Sequence, residues 1–326
     1  MTVGALVAAT VVGAATWRAI PWTKTHAELR ASMEPLPAHE RVRAVWWSDA
    51  GWAIAAGAKG QVLVRDAEPP GTDASSWRVL PPVTSADLAV VAGGKLRGET
   101  HALVAGDGAL LDCTPSGCAA LATGSRLRAI AVGPDEALVV GDDGAAFRVV
   151  PWFADRVFPF SLDPRELLRA DRIADLPVTS DLRAVDFRCT ADASDPDRCD
   201  ATLTGADGVQ ILGVRTGICD DGRSFSGYRH ACAWTWRLGE RAEATKAEPP
   251  ERAWSPVTVV SEKLTATREE RERARLTFGP SPVAEIDGTV LPLRVERRFV
   301  AGATPYGGLG AATLLLDEAG EVYLAR

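Results

Sequence analysis

The side chains of this 326-residue chain with the most evident chemistry are six cysteines, which fall into three close pairs: Cys113/Cys118, Cys189/Cys199 and Cys219/Cys232. Their short separations favour local pairing. Cys113-Thr-Pro-Ser-Gly-Cys118 reads as a hairpin tip with Pro115 and Gly117 in the turn. Cys189 and Cys199 bracket the polar run TADASDPDR, and Cys219 and Cys232 bracket DDGRSFSGYRHA. Three loop-stapling disulfides are the expectation, and they belong in an oxidising compartment. Zinc is the rival use of these thiols, but a zinc site favours C-x2-C spacing or nearby histidines. Only His230 lies close to any cysteine.

Other reactive types do not converge. Asp192, Asp195, Asp197 and Asp200 are carboxylates at short spacing, which suits calcium. They lack EF-hand order and enclose Cys199, so a solvated loop is the better reading. A tyrosine-nucleophile glycosidase needs a tyrosine among arginines and carboxylates. Tyr228 and Tyr306 read as loop residues and Tyr323 as a packed strand residue, and nothing selects one constellation. His101 enters a strand and reads as a half-buried structural residue, His230 as a loop residue. No serine sits in a G-x-S-x-G elbow. Gly93-Gly94-Lys95 lacks the upstream glycine of a phosphate loop, and Leu96 follows the lysine. No catalytic, cofactor-binding or metal-binding residue is assigned, and no cofactor is expected.

The elements that would carry such residues are short strands. Leu127 to Val149 reads as an apolar strand, a Gly133-Pro134-Asp135 turn, a second apolar run at Ala137–Val140, a Gly141-Asp142-Asp143-Gly144 turn and a third strand with Ala146, Phe147 and Val149. Glycine and Asp-Gly supply the positive-φ positions of hairpin turns. Looser copies recur, with second turn glycines at 60, 108, 144, 208, 288 and 320. Repeats of this length, each about four strands, indicate an all-β protein built as a β-propeller. Six or seven blades are expected, because a lone blade cannot bury both sheet faces. The final strands, 313–325, are expected to share a blade with the first ones, from 42 onward. The stretches Ala233–Trp236 and Val257–Val260 leave room for one further unit.

Two segments depart from the pattern. The first holds Trp152, Phe153, Phe158 and Phe160, a candidate partner-binding patch, and then Asp163-Pro164 followed by good helix formers to Arg169. That order predicts a short surface helix capped by Asp163. The second, Arg268 to Arg275, alternates in sign and reads as a solvated helix or charged hairpin.

The N-terminal run Thr2 to Thr16 is apolar and small, with Arg18 the first charged side chain. It is short for a membrane span and fits the apolar region of a signal peptide, with small-residue cleavage sites such as Val12-Gly13-Ala14. Joined to Trp17 and Trp22 it becomes a tilted anchor. The basic residues follow rather than precede it, against the positive-inside tendency. The division expected is a signal peptide or membrane anchor over 1–22, a linker over 23–40 carrying Pro35 and Pro37, and a propeller over 41–326. Net charge is -7 with both signs dispersed, which argues against nucleic acid as a partner.

The hairpin Val139-Val140-Gly141-Asp142-Asp143-Gly144, with the strand residue Trp77, resembles the repeat of BNR or photosystem-II-assembly-factor propellers. The resemblance spans roughly 41–326 and is strongest to about 215. It implies a propeller fold, in a group that includes scaffolds, assembly factors and sialidases. The S-x-D-x-G-x-T-W box is degraded, with a fragment over Asp73 to Trp77. The expectation is a monomeric, exported or membrane-tethered propeller that binds an unknown envelope protein or ligand. A sialidase-like hydrolase with its site over the channel is the alternative.

Overall fold

Alternating apolar residues broken by Gly and Asp turns leave the chain little choice but short antiparallel strands. A computed structural model describes residues 27–28, 31–66, 77–96, 99–134, 136–152, 167–177, 180–189, 198–216, 233–239, 275–277, 283–286, 289–295, 297–303 and 313–325. The strands β1 (Ala27–Glu28) and β2 (Ala31–Met33) come first. One four-stranded sheet follows, in sequence order: β3 (Val42–Trp47), β4 (Ala53–Gly57), β5 (Val62–Arg65) and β6 (Trp77–Val79). The next sheet runs through β7 (Leu88–Leu96), β8 (Glu99–Thr114), β9 (Gly117–Val132), β10 (Ala137–Gly141), β11 (Ala146–Trp152) and β12 (Leu167–Arg172). Then β13 (Leu182–Cys189), β14 (Cys199–Gly205), β15 (Gln210–Thr216) and β16 (Ala233–Leu238) form another. The strands β17 (Arg275–Thr277), β18 (Val283–Ile286) and β19 (Thr289–Arg294) take β1 on their far edge. Last come β20 (Phe299–Ala303), β21 (Thr313–Asp317) and β22 (Val322–Ala325), with β2 on theirs.

The long strands β8 and β9 each serve twice. His101 and Asp112 both belong to β8, yet His101 Nδ1 lies 2.9 Å from Asp112 Oδ1. Eleven residues of straight strand would separate them by about 36 Å, so β8 doubles back at Asp107-Gly108, where Gly108 takes φ 81°. Its first half pairs with β7 and its second with the start of β9, while the end of β9 pairs with β10. The second sheet is therefore two blades joined through β9. The described residues make six blades of four strands, and the fold is a β-propeller.

The core lies between blades rather than within them. Leu63 and Val45 of the first blade meet Leu314, Leu316 and Val322 of the last. Ile54 and Val64 meet Leu88, Val104 and Leu111 of the second blade. Leu103 and Leu110 meet Val139 and Val149 of the third, and Val140 meets Leu182, Leu203 and Ile211 of the fourth. Each buried Leu or Val contributes about 1.5–3 kcal/mol. The first strands of successive blades also touch one another, β20 with β3, β3 with β7, and β9 with β13. First strands therefore face the axis and fourth strands the outer edge of the ring.

The structure corrects four expectations. The last blade is completed by β2, with Ala31 opposite Ala325 and Met33 opposite Tyr323, not by residues from 42 onward. The segment read as a linker thus supplies strands β1 and β2. Pro35 and Pro37 lack the N–H a ladder needs, so the chain leaves the sheet after Met33 and is free to begin a new blade at Val42. Leu167 to Arg169, expected in a helix, lie in β12 opposite Trp152, Pro151 and Val150. Pairing with β11 buries Leu168, a gain that outweighs helix propensity of a few tenths of a kcal/mol per residue. Ala233–Trp236 is the fourth strand of the β13 blade, not the start of a separate unit. Residues 163–166, 257–260 and 268–274 lie outside the described residues. Among the described residues no helix is long and apolar enough to cross a membrane, and 2–16 lie outside them.

Candidate functional site

One local device recurs at the start of the first strand in five blades. The register skips a single residue: Arg43 between Val42 and Ala44, Ala89 between Leu88 and Val90, Arg128 between Leu127 and Ala129, Arg183 between Leu182 and Ala184, and Val300 between Phe299 and Ala301. A bulge of this kind bends the strand and re-aims the extra side chain. Arg43, Ala89, Arg183 and Val300 are accordingly exposed and Arg128 half-buried, each directly after a buried residue. Opposite the bulge stands a glycine in four blades. A Cβ on Gly57 would lie 2.2 Å from the Arg41 carbonyl oxygen, one on Gly106 1.9 Å from that of Asp87, and one on Gly141 2.1 Å from that of Arg126. The first glycine of these three turns is thus a requirement of close backbone approach.

The residue before each first strand latches onto the turn of the preceding blade. The Arg41 guanidinium donates to the Glu318 carbonyl at 2.6 Å. Asp87 Oδ1 accepts from the Lys59 amide at 2.9 Å, and Asp181 Oδ1 accepts from the Asp143 amide at 3.0 Å. Arg126 pairs with Asp107 at 2.6 Å. Lys59 and Asp143 both take φ 55°, the left-handed conformation that aims their amides across the seam. Four seams are therefore latched from one station, alternately by Arg and Asp.

The bulge arginines add a second layer. Arg43 reaches Asp87 at 2.6 Å, Arg128 grips Asp142 with two bonds of 2.8 Å, and Arg183 lies 3.2 Å from Asp181. The amide of Lys59, and then Arg43, hold the Asp87 carboxyl below its ordinary range. The Arg128 fork does the same for Asp142, and Asp142 in turn holds Arg128 charged. Glu40 raises Lys59, whose ammonium it meets at 2.8 Å. The result is a rim of paired, partly exposed charges at one end of the strands. The repeat Val42-Arg43-Ala44-Val45, Leu127-Arg128-Ala129-Ile130 and Leu182-Arg183-Ala184-Val185 is the sequence signal for it, and reading the Leu127 run only as an apolar strand missed the arginine at its second place.

The other end of the strands is built differently. Glu136, fully buried, accepts from Arg215 at 2.6 Å and from the Trp234 indole at 3.0 Å, and also pairs with Arg148. Glu34 accepts from the Trp77 indole at 3.0 Å and lies 3.4 Å from Arg65, which covers the Trp47 ring. In each case a Glu from one blade clamps an Arg and Trp paired in register on the third and fourth strands of the next. Two disulfides lie here, Cys113–Cys118 and Cys189–Cys199. Arg78 of the first blade donates to the Pro115 carbonyl at the tip of the Cys113–Cys118 hairpin. Cys219, Cys232, His230, Tyr228, Tyr306, Asp192, Asp195 and Asp197 lie outside the described residues, as do Phe153, Phe158 and Phe160. Trp152 ends β11 at this same end. His101 is buried against Asp112. Tyr323 packs on Phe299 at 5.5 Å beneath Arg297, and burial pushes its hydroxyl pKa up. Among the described residues no group of His, Cys, Asp and Glu could hold a metal ion.

No protein-family model and no curated protein matches the chain. Among solved structures, the β-propeller domain of Myceliophteria thermophila Cps50 (Swd1) is similar at 9% identity and a TM-score of 0.42, covering 91% of this chain and 99% of that one. A chain in a structure of S. cerevisiae Dbp5 bound to Nup159, Gle1, IP6 and ADP is similar at 12% identity and a TM-score of 0.35, covering 89% and 76%. At such scores the fold assignment stands on the sheet order and register of this chain.

Proposed function

We propose that the protein is an exported propeller of the BNR-like type that acts as an interaction module, receiving a protein partner on the rim of bulge arginines and seam carboxylates. The observation that carries this reading is the repetition of Arg43, Arg128 and Arg183 at one station of three blades, each beside an Asp, on short turns fixed by the blade seams. A rigid ring presenting exposed charges of both signs gives orientation and partner discrimination through electrostatic complementarity. The two disulfides support an oxidising location. A tether through residues 2–16 belongs to the same proposal, as does a contribution from Trp152, Phe153, Phe158 and Phe160 at the other end.

The test is capture from the envelope fraction with the immobilised full chain, quantified by mass spectrometry against an Arg43→Gln/Arg128→Gln/Arg183→Gln variant. The wild type is expected to hold a defined partner at low salt and lose it as salt rises. The variant should recover about tenfold less, the effect of some 1.4 kcal/mol. Equal recovery by a folded variant overturns the assignment of the rim.

A further inference from the structure

Cys199 is fully buried and Cys189 half-buried, so the two sulfurs of one disulfide meet different surroundings. The Arg215 guanidinium lies 2.8 Å from Cys199 Sγ. Arg215 is itself only 3% exposed and is fixed by Glu136 at 2.6 Å, and it faces Cys199 in the β14–β15 register. A cation donating a hydrogen bond to one sulfur favours that sulfur as thiolate, and in a buried site the attraction is screened less than in water. The better leaving thiolate sets the rate and direction of disulfide exchange. Cys113 offers the contrast. It sits in the apolar seam with Trp52, Ile54, Val104 and Leu111, surroundings that oppose a thiolate.

We propose that Cys189–Cys199 is a thiol-exchange site, opened by a low-molecular-weight thiol attacking Cys189 while Cys199 leaves as a thiolate held by Arg215. In the first step the external thiolate forms a sulfur–sulfur bond to Cys189, the Cys189–Cys199 bond breaks, and its electron pair remains on Cys199. In the second, another external thiolate attacks the external sulfur of the mixed disulfide and releases Cys189, which takes a proton from solvent. Two external thiols are oxidised to their disulfide and one protein disulfide is reduced. The freed Cys199 thiolate then shares Arg215 with Glu136. Because Glu136 belongs to the third blade and Arg215 to the fourth, the state of the bond is felt at the seam.

The experiment uses the full chain and glutathione, with timed alkylation and peptide mass spectrometry. Cys189–Cys199 is expected to open about tenfold or more faster than Cys113–Cys118, with glutathione on Cys189. Arg215→Gln should slow the opening by about tenfold and Arg215→Lys should restore most of it. Glutathione on Cys199, equal opening of the two bonds, or a folded Arg215→Gln protein that opens as fast as wild type would each overturn the proposal. If Arg215→Gln does not fold, the wild-type attachment site and rate ratio decide it alone.

Discussion

Arginine is the informative residue in this protein, and its meaning changes with its place on the strand. On a bulge, as at Arg43, Arg128 and Arg183, it is lifted toward solvent and grips a carboxylate, Asp142 at a turn or Asp87 and Asp181 just before a first strand. At the far end of a third strand, as at Arg65 and Arg215, it is buried opposite a tryptophan of the fourth strand and answered by a glutamate of the preceding blade or N-terminal segment. The carboxylates at the turns give a pH prediction. Asp87 is depressed first by the Lys59 amide and Asp142 first by Arg128, so both bind protons less readily folded than unfolded. Their contribution is complete above the unfolded value of about 3.9 and is lost as pH falls through the lower folded values. Urea midpoints should therefore be flat from about pH 7 to 5 and fall below about pH 4. An Asp87→Asn/Asp142→Asn variant should be weaker at neutral pH and approach the wild type in acid. An identical acid slope in both proteins would remove the seam carboxylates from the account.

At the scale of the element, the strand boundaries follow hydrogen-bond supply and the seams follow charge. The two Glu-Arg-Trp clasps join blades that the apolar cores alone would allow to slide. Replacing Glu136 with Ala leaves Arg215 buried without its 2.6 Å partner, and loss of one member of such a pair costs about 3–5 kcal/mol. The same change at exposed Glu318, which meets Arg298 at 3.1 Å, should cost less than about 1 kcal/mol. Urea denaturation of the two variants checks the contrast, and equal losses would show that the clasp holds no seam. Much of this level was legible in the sequence. The hairpins at 127–149 and 205–212 and the local cysteine pairing at 113–118 and 189–199 follow from turn chemistry and short spacing. The clasps were not legible, because Glu136 and Arg215 lie far apart in the chain and meet only once two blades are stacked. Strand β2 was hidden for a related reason, since Ala31–Met33 is too short and too polar to read as a strand until the edge of β22 is there to receive it.

The whole molecule is a ring with two unlike ends. One end carries short turns, bulges and paired charges repeated from blade to blade. The other carries the two disulfides of the described residues, the buried clasps and the end of β11 at Trp152. The ring architecture was readable from the turn glycines, and the blade number only as six or seven, whereas the charged rim was not. In the sequence Leu127 onward reads as an apolar strand, and only the skipped register shows that Arg128, like Arg43 and Arg183, is lifted out of its strand. The measurement that bears most directly on the account is amide hydrogen exchange of the full chain, alone and with its captured partner. Protection is predicted at the turns 58–60, 142–144 and 206–208 and at the strand starts around Arg43, Arg128 and Arg183. Protection confined to the disulfide end, with the rim unchanged, would contradict it.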